Sequence, residues 1–348
     1  MTLQISFPIR ASIIITNRCN YHCTHCYTNA GDQKFDELNT KQWKKIMDEL
    51  ESNGIFELYV GGGEPFVRKD IIEILNYSTH KKKFTTTTST DGALITNNNV
   101  KLIDESINIQ VSLDGNKKSH ELIRGQNSYE QTIRGLKKLL EIRKNVGVGT
   151  VVNKINLNDL EEIHTFLIQN QVKSWHIMRV QPAGRALAIW NLLSISNKEW
   201  VDIVNLLNIL KQKKNSPYIF INGTFDIEDI RKIEPENRRL YFASESGREI
   251  CILPNGDVVP NDISFGLEKY VLGNVLEKKI ETIWEESKLF EKFFLITEKI
   301  NGKCNDCSLF ETCRGGSRLV AEVLLNDVYA PDPYCPHDPP NNFVEYVK

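Results

Sequence analysis

From about residue 10 to residue 180, short runs rich in Ile, Val, Thr and aromatic residues alternate with longer segments whose apolar positions recur at helical spacing. The runs at 12–16, 57–60, 84–89, 109–112, 146–152 and 174–180 predict strands, because β-branched and aromatic side chains suit a pleated sheet. The segments at 39–53, 69–80, 97–105, 128–144, 156–170 and 197–214 predict helices, with polar starts such as Asn39-Thr40 and Asn158-Asp159 placed to cap them. Such alternation gives parallel strands with helices packed outside. A closed barrel of eight units takes about 250 residues. Six units here therefore predict an α/β fold, a partial (β/α)6 TIM-like barrel, with ligands at the carboxyl ends of its strands. Past residue 215 the alternation stops. A hairpin around Pro254-Asn255-Gly256-Asp257, a helix near 279–298 and a cysteine-rich tail then predict a barrel over 1–215 and a small α+β domain over 216–348. No internal repeat, low-complexity tract or Gly/Ser linker interrupts this plan.

Composition adds constraints rather than a function. With 348 residues, 41% of them hydrophobic and 25% charged, the chain can build a full core. A formal charge of -2 and the lack of a basic run give no footprint for a phosphate backbone, so nucleic acid is not expected as a partner. The first 19 residues show no charged segment followed by a long apolar one, and the run Ile13-Ile14-Ile15 is too short to span a bilayer. The expectation is a cytoplasmic protein without a membrane partner. Eight cysteines in such a protein point to thiolates held for metals or catalysis rather than to disulfides.

Their spacing carries the chemistry. Cys19, Cys23 and Cys26 form C-x3-C-x2-C directly after the first predicted strand. A structural zinc or an electron-transfer cluster takes four protein ligands, whereas three leave one metal position open for a small molecule. With Tyr27 following the third cysteine, the segment resembles the signature of the radical S-adenosylmethionine (SAM) superfamily. The resemblance implies a 4Fe–4S cluster on Cys19, Cys23 and Cys26 whose fourth iron is chelated by SAM. It further implies one-electron cleavage of SAM to methionine and a 5′-deoxyadenosyl radical, hydrogen abstraction from substrate, and a low-potential flavodoxin or ferredoxin as electron donor. The cofactors carry that chemistry, and the protein orients them and excludes water. Tyr27 matches an aromatic residue that lies near the adenine in the family.

Further motifs fall at successive predicted strand ends. Gly61-Gly62-Gly63-Glu64-Pro65 resembles the GGEP motif that holds the SAM amino group, which assigns Gly62, Gly63, Glu64 and Pro65 to SAM. Glycines admit a close backbone approach, and a carboxylate accepts from an ammonium. Thr90-Asp91-Gly92 and Ser112-Leu113-Asp114-Gly115 resemble stretches that face the SAM ribose and carboxylate, which assigns Thr90, Ser112 and Asp114 to the cofactor. His120-x3-Arg124-Gly125 resembles an H-D-x-x-R-G segment, with Glu121 in place of Asp, and offers Arg124 for a bidentate pair with the SAM carboxylate.

Cys304-x2-Cys307-x5-Cys313, followed by Cys335, supplies four thiolates, enough to close a cluster or a zinc site. Together with Pro254–Pro260 and Leu272-Gly273-Asn274-Val275, this tail resembles the SPASM domain, whose full form has seven cysteines on two auxiliary clusters. Asn261 and Ser317 stand where that family has cysteines of the first auxiliary cluster. The implied form is a reduced, twitch-like domain with one auxiliary 4Fe–4S cluster on Cys304, Cys307, Cys313 and Cys335. Cys251, in a predicted strand over 249–253, reads as a buried small hydrophobe, with a relic of the lost cluster or a reactive thiol as the other readings. His22 and His25 read as packing beside the first cluster, and Trp175, Trp190 and Trp200 as core. After the sixth strand, 179–186 contains a P-x-G-R-A element in which Arg179 or Arg185 is placed to face a substrate carboxylate or to cap a helix.

The resemblance implies modification of a ribosomally made peptide by cross-link, thioether or epimerisation. No leader-recognition domain precedes Cys19, so leader recognition is expected from the barrel, the C-terminal domain or a separate protein. Radical modification of a tetrapyrrole or another small cofactor precursor is the alternative substrate class. A non-catalytic iron–sulfur carrier or zinc-binding protein is the alternative from another class. Sulfatase maturation is disfavoured by Asn261 and Ser317, and the sequence assigns no catalytic acid or base.

Overall fold

Four of the six central strands are buried on one face and half-open on the other, and this two-sidedness shapes the molecule. The computed structural model describes residues 7–31, 36–80, 84–143, 145–222, 249–288, 300, 302, 304, 307, 310 and 315–335. Among these, β1 (Arg10–Ile14), β2 (Glu57–Gly61), β3 (Thr85–Thr90), β4 (Asn108–Ser112), β5 (Val146–Val152) and β6 (Ser174–Arg179) are the six expected parallel strands. Between them run α1 (Thr40–Ser52), α2 (Ile71–His80), α3 (Asn97–Leu102), α4 (Lys117–Arg124), α5 (Ser128–Ile142) and α6 (Leu160–Gln169). After β6 come α7 (Gly184–Ala188), α8 (Trp190–Leu193), α9 (Asn197–Lys211), β7 (Tyr218–Ile221), β8 (Glu249–Ile252), β9 (Asp257–Val259), β10 (Gly273–Asn274), α10 (Ile280–Ser287) and α11 (Arg318–Leu325).

The local signals act as the sequence implies. Asn39 and Gln42 exchange both bonds of a capping box at α1, and Ser196 and Glu199 do the same at α9. Leu58, Val60, Ile109, Val111, Trp175 and Ile177 are fully buried in a core shared with Trp43, Ile46, Leu50 and Leu136 on the helices. The alternate positions Tyr59, Ser89, Gln110, Ser112, His176 and Met178 are half-buried on the opposite, concave face. That face is polar: the Tyr59 hydroxyl donates to Ser89 Oγ at 2.7 Å, and His176 Nδ1 lies 3.3 Å from Gln110 Oε1.

The ten strands form one sheet in the order β10-β9-β8-β1-β2-β3-β4-β5-β6-β7. The alternation does not stop at 215, because α9 leads into β7, which pairs in parallel with β6. Its four residues point alternately out and in, with Tyr218 and Phe220 exposed and Ile219 and Ile221 buried. At the other edge β8 pairs in parallel with β1, and β8 and β9 form the expected antiparallel hairpin. Helix α4 was not among the predicted helices; its surface is charged, and only Ser119, His120 and Ile123 are buried. Of the helix expected near 279–298, α10 is seen, and 289–298 lie outside the described residues. Among the described residues no helix is long and apolar enough to cross a membrane.

Candidate cofactor site

The loop after β1 carries Cys19, Cys23 and Cys26 and is braced from three sides. The Gly63 and Glu64 amides donate to the Thr16 and Arg18 carbonyls at 2.9 and 3.0 Å. A Cβ on Gly63 would lie 2.1 Å from the Arg18 oxygen, and one on Gly62, whose φ is 136°, 2.5 Å from the Thr16 oxygen. The close approach these glycines permit is therefore to the cysteine loop itself. On the second side the Thr24 amide donates to the Ile123 carbonyl at the end of α4, at 2.8 Å. On the third, Arg185 Nε donates to the Cys23 carbonyl, also at 2.8 Å.

Each sulfur has its own N–H donor. Tyr21 N reaches Cys19 Sγ at 3.4 Å, Ala30 N reaches Cys26 Sγ at 3.3 Å, and an Arg124 nitrogen stands 3.9 Å from Cys23 Sγ. Burial pushes the Cys19 thiol up to about 12 and the Cys23 thiol up to about 11. Cys23 raises Cys19 further and Cys26 raises Cys23, so the three groups feel one another's charge. A bound cation reverses this by stabilising the thiolates. Among the described residues no three His, Cys, Asp or Glu side chains converge on one metal ion. A cluster asks something different, that each thiolate meet its own iron, and the donors aimed at the three sulfurs fit that demand.

Beside the cysteines lie two acidic centres of opposite character. Glu64 is buried and accepts from Phe66 N (3.0 Å), Thr90 Oγ1 (2.9 Å) and Asp91 N (2.7 Å). Burial, and then the charge of Asp91, raises its carboxyl well above the usual range; burial also raises Asp91, against the pull of Arg124. This pair favours a cation, and SAM brings an ammonium and a sulfonium. Asp114 is instead fully satisfied, taking Arg124 Nε at 2.6 Å, His25 Nε2 at 2.7 Å and Val151 N at 2.8 Å. Burial alone would raise it, but the charges of Arg124 and His25 outweigh that and hold it far below the carboxylate range. His120 completes the hub by accepting the Asp114 amide on Nδ1, and burial pushes it down to about 3.

The remaining expected residues are placed as follows. Pro65 opens the 3-10 turn that Glu64 caps, and Ser112 is half-buried at the end of β4. The half-buried Tyr27 donates its hydroxyl to Asp262, next to Asn261. Cys251 is completely buried, as the strand reading has it. Cys304, Cys307 and Cys335 are half-buried, and Cys313 lies outside the described residues. A Cβ on Gly302 would lie 3.7 Å from Pro331, which puts Gly302, two residues before Cys304, near Pro331, four residues before Cys335. Arg179 and Arg185, the candidates for facing a substrate carboxylate, both donate hydrogen bonds to protein groups. The sequence alone does not single out Asp91, Asp262 or Glu249, and it reads His25 as packing rather than as a partner of Asp114. All are held by contacts far away in the chain, and only the position of Asp91 inside a strand-end motif gave a hint.

Fold and site together define an iron–sulfur enzyme that binds its small-molecule cofactor at the open end of a partial parallel barrel. A family profile, the radical SAM superfamily, matches residues 13–167, and a second, SPASM, an iron-sulfur cluster-binding domain, matches 245–308, taking in Cys304 and Cys307. The mycofactocin maturase MftC of Mycolicibacterium smegmatis is 29% identical over 94% of this chain and 82% of its own length. The Fe-coproporphyrin III synthase of Methanosarcina barkeri is 28% identical over 92% of this chain and 86% of its own. The fold is similar to that of Streptococcus suis SuiB bound to S-adenosylmethionine, with a TM-score of 0.81 at 20% identity over 95% of this chain and 77% of that one; SuiB has also been solved with its precursor peptide SuiA. The chain thus carries a radical SAM domain over 13–167 and a SPASM domain over 245–308. It is an enzyme that binds a 4Fe–4S cluster and SAM, with a C-terminal domain built for an auxiliary iron–sulfur cluster.

Proposed function

We propose that this enzyme matures a ribosomally synthesised peptide by breaking one of its C–H bonds. The observation that carries the reading is the character of the concave barrel face. It offers hydrogen-bonding groups, Tyr59, Ser89, Gln110 and Ser112, with Glu249 joined to Ser12 at one side. Burial pushes His176 on the same face down to about 4, so it is uncharged near neutrality. Arg124, Arg179 and Arg185 are all engaged by the protein. A tetrapyrrole brings several carboxylates that call for cations, whereas a peptide brings amides that suit this lining. The likeness to a mycofactocin maturase and the fold shared with SuiB support the same choice. Similar identity to an Fe-coproporphyrin III synthase keeps the tetrapyrrole as the competing substrate in the test.

In this reading Cys19, Cys23 and Cys26 ligate the site cluster. Glu64 takes the SAM ammonium, with Gly62, Gly63, Pro65 and Thr90 shaping its turn, while Ser112 and Tyr27 border the cofactor. Asp114 orients Arg124 toward Cys23 and the SAM carboxylate. Cys304, Cys307, Cys313 and Cys335 hold one auxiliary cluster, and a flavodoxin or ferredoxin supplies electrons. The cluster and SAM, when bound, supply one-electron cleavage and the power to abstract hydrogen. The chain's own part is to hold them, to fix their charges and to keep water from the reacting carbon.

The test incubates the anaerobically reconstituted enzyme with SAM, dithionite and each short peptide encoded beside its gene, with iron coproporphyrin III in a parallel arm. The expected result is 5′-deoxyadenosine together with a mass change in one peptide. Conversion of the porphyrin with every peptide untouched would overturn the peptide reading.

A further inference from the structure

The segment leaving β6, Arg179-Val180-Gln181-Pro182-Ala183-Gly184-Arg185, bridges two places that the chain separates by about 300 residues. At its far end Arg185 is fixed to the first cysteine loop. Its amide donates to the Cys26 carbonyl at 2.9 Å, and Nε donates to the Cys23 carbonyl at 2.8 Å. One guanidinium nitrogen donates to the Ala30 carbonyl at 2.6 Å and to Asn29 Oδ1 at 3.1 Å. Gly184 makes this contact attainable: with φ at 56°, a Cβ there would lie 2.3 Å from the Cys26 oxygen and 2.4 Å from the Tyr27 oxygen.

At its near end Arg179 is buried and turned the other way. It donates to Asn197 Oδ1 at 2.8 Å and to the Ile195 carbonyl, and its guanidinium lies 4.0 Å from the centre of the Tyr334 ring. The Tyr334 hydroxyl returns to the Val180 carbonyl at 2.8 Å. Asn197 in turn donates from Nδ2 to the carbonyls of Pro333 (3.0 Å) and Cys335 (3.2 Å). A planar fork that stacks and bonds at once is a task for arginine that lysine performs poorly.

We infer that residues 179–185 form a strap that holds both cysteine loops against the barrel, Arg185 positioning Cys19, Cys23 and Cys26 and Arg179 positioning Cys335 through Asn197 and Tyr334. Both are positioning residues, and the P-A-G-R-A element is a scaffold joining the two metal loops rather than a contact to substrate. Its bearing on the auxiliary cluster rests on the assignment of Cys335 as a ligand made above, but the contacts themselves do not.

The test therefore begins with the full-length chain freed of iron, using Arg185→Gln and Arg179→Gln and timing the alkylation of each cysteine peptide by mass spectrometry. Loss of a charge-assisted hydrogen bond should raise local exposure about tenfold. Arg185→Gln is expected to speed labelling of Cys19, Cys23 and Cys26 and to leave Cys335 at its wild-type rate, and Arg179→Gln to do the reverse. After iron loading, the first variant should lose the SAM-induced change in the electron paramagnetic resonance spectrum of the site cluster, which the second keeps. If a glutamine variant loses its far-ultraviolet dichroism, Arg185→Lys and Arg179→Lys take its place with the same pattern expected. Labelling that rises in both loops together, or in neither, would overturn the strap.

Discussion

Burial raises each carboxylate of this barrel's site, and the partners that each one meets decide whether the rise survives. Asp114 meets the Arg124 guanidinium, His25 Nε2 and a backbone amide and stays ionised, so its stabilising contribution persists at neutral pH and is lost only as pH falls through its depressed folded value. Glu249 meets the hydroxyl of Ser12 and, nearby, the charge of Asp262; burial first, then Asp262, raises it from 4.5 to about 7. Between those two values the folded chain keeps a proton that the unfolded chain has released, so rising pH favours unfolding. The iron-free protein should accordingly lose stability to urea as pH rises from about 5 to about 8, and Glu249→Gln should flatten that slope. Equal slopes in wild type and variant, read from urea midpoints at several pH values, would show that Glu249 keeps an ordinary carboxyl.

Two turns of the C-terminal region explain how the first auxiliary cluster of the full SPASM pattern gives way to ordinary capping. Asn261 caps the turn at 262–264, its Oδ1 accepting from Ser264 N at 3.2 Å and from Ser264 Oγ at 3.1 Å. Ser317 caps α11, its Oγ accepting from Val320 N at 3.2 Å, while its own amide donates to Asp332 at 2.7 Å. Thiols cap poorly, so Ser317→Cys should destabilise the iron-free chain by about 1 kcal/mol, as Ser317→Ala does, whereas Ser317→Asp should keep most of the stability. A Ser317→Cys chain as stable as wild type would remove the capping account. The same scale shows what the sequence could tell. The six central strands and the cysteine spacing were legible because each is a local pattern. Helix α4 was not, since its charged surface hides a buried side of three residues, and β7 was too short to announce itself. Nor were the site's braces, because His25 meets Asp114 across 89 positions and Arg185 meets Cys23 across 162.

At the scale of the whole molecule, the C-terminal region completes the barrel's sheet rather than hanging from it. Strand β1, which leads into the first cysteine loop, would be an edge strand without β8; with it, β1 is paired on both sides. Ile14 at its end packs with Cys251, Leu253 and Val259, all of them from the C-terminal region. Removing that region exposes an unpaired row of backbone groups next to apolar side chains, the arrangement that invites edge-to-edge association. It also takes away Asp262, the hydrogen-bond partner of Tyr27 beside Cys26. A chain ending at Asn222 is therefore expected to be insoluble, or to refold into oligomers that hold little iron on Cys19, Cys23 and Cys26. Sedimentation and iron counting on the truncated protein decide the matter. A soluble monomer whose cluster spectrum still responds to SAM would mean that the barrel stands alone and that β8 only leans on it.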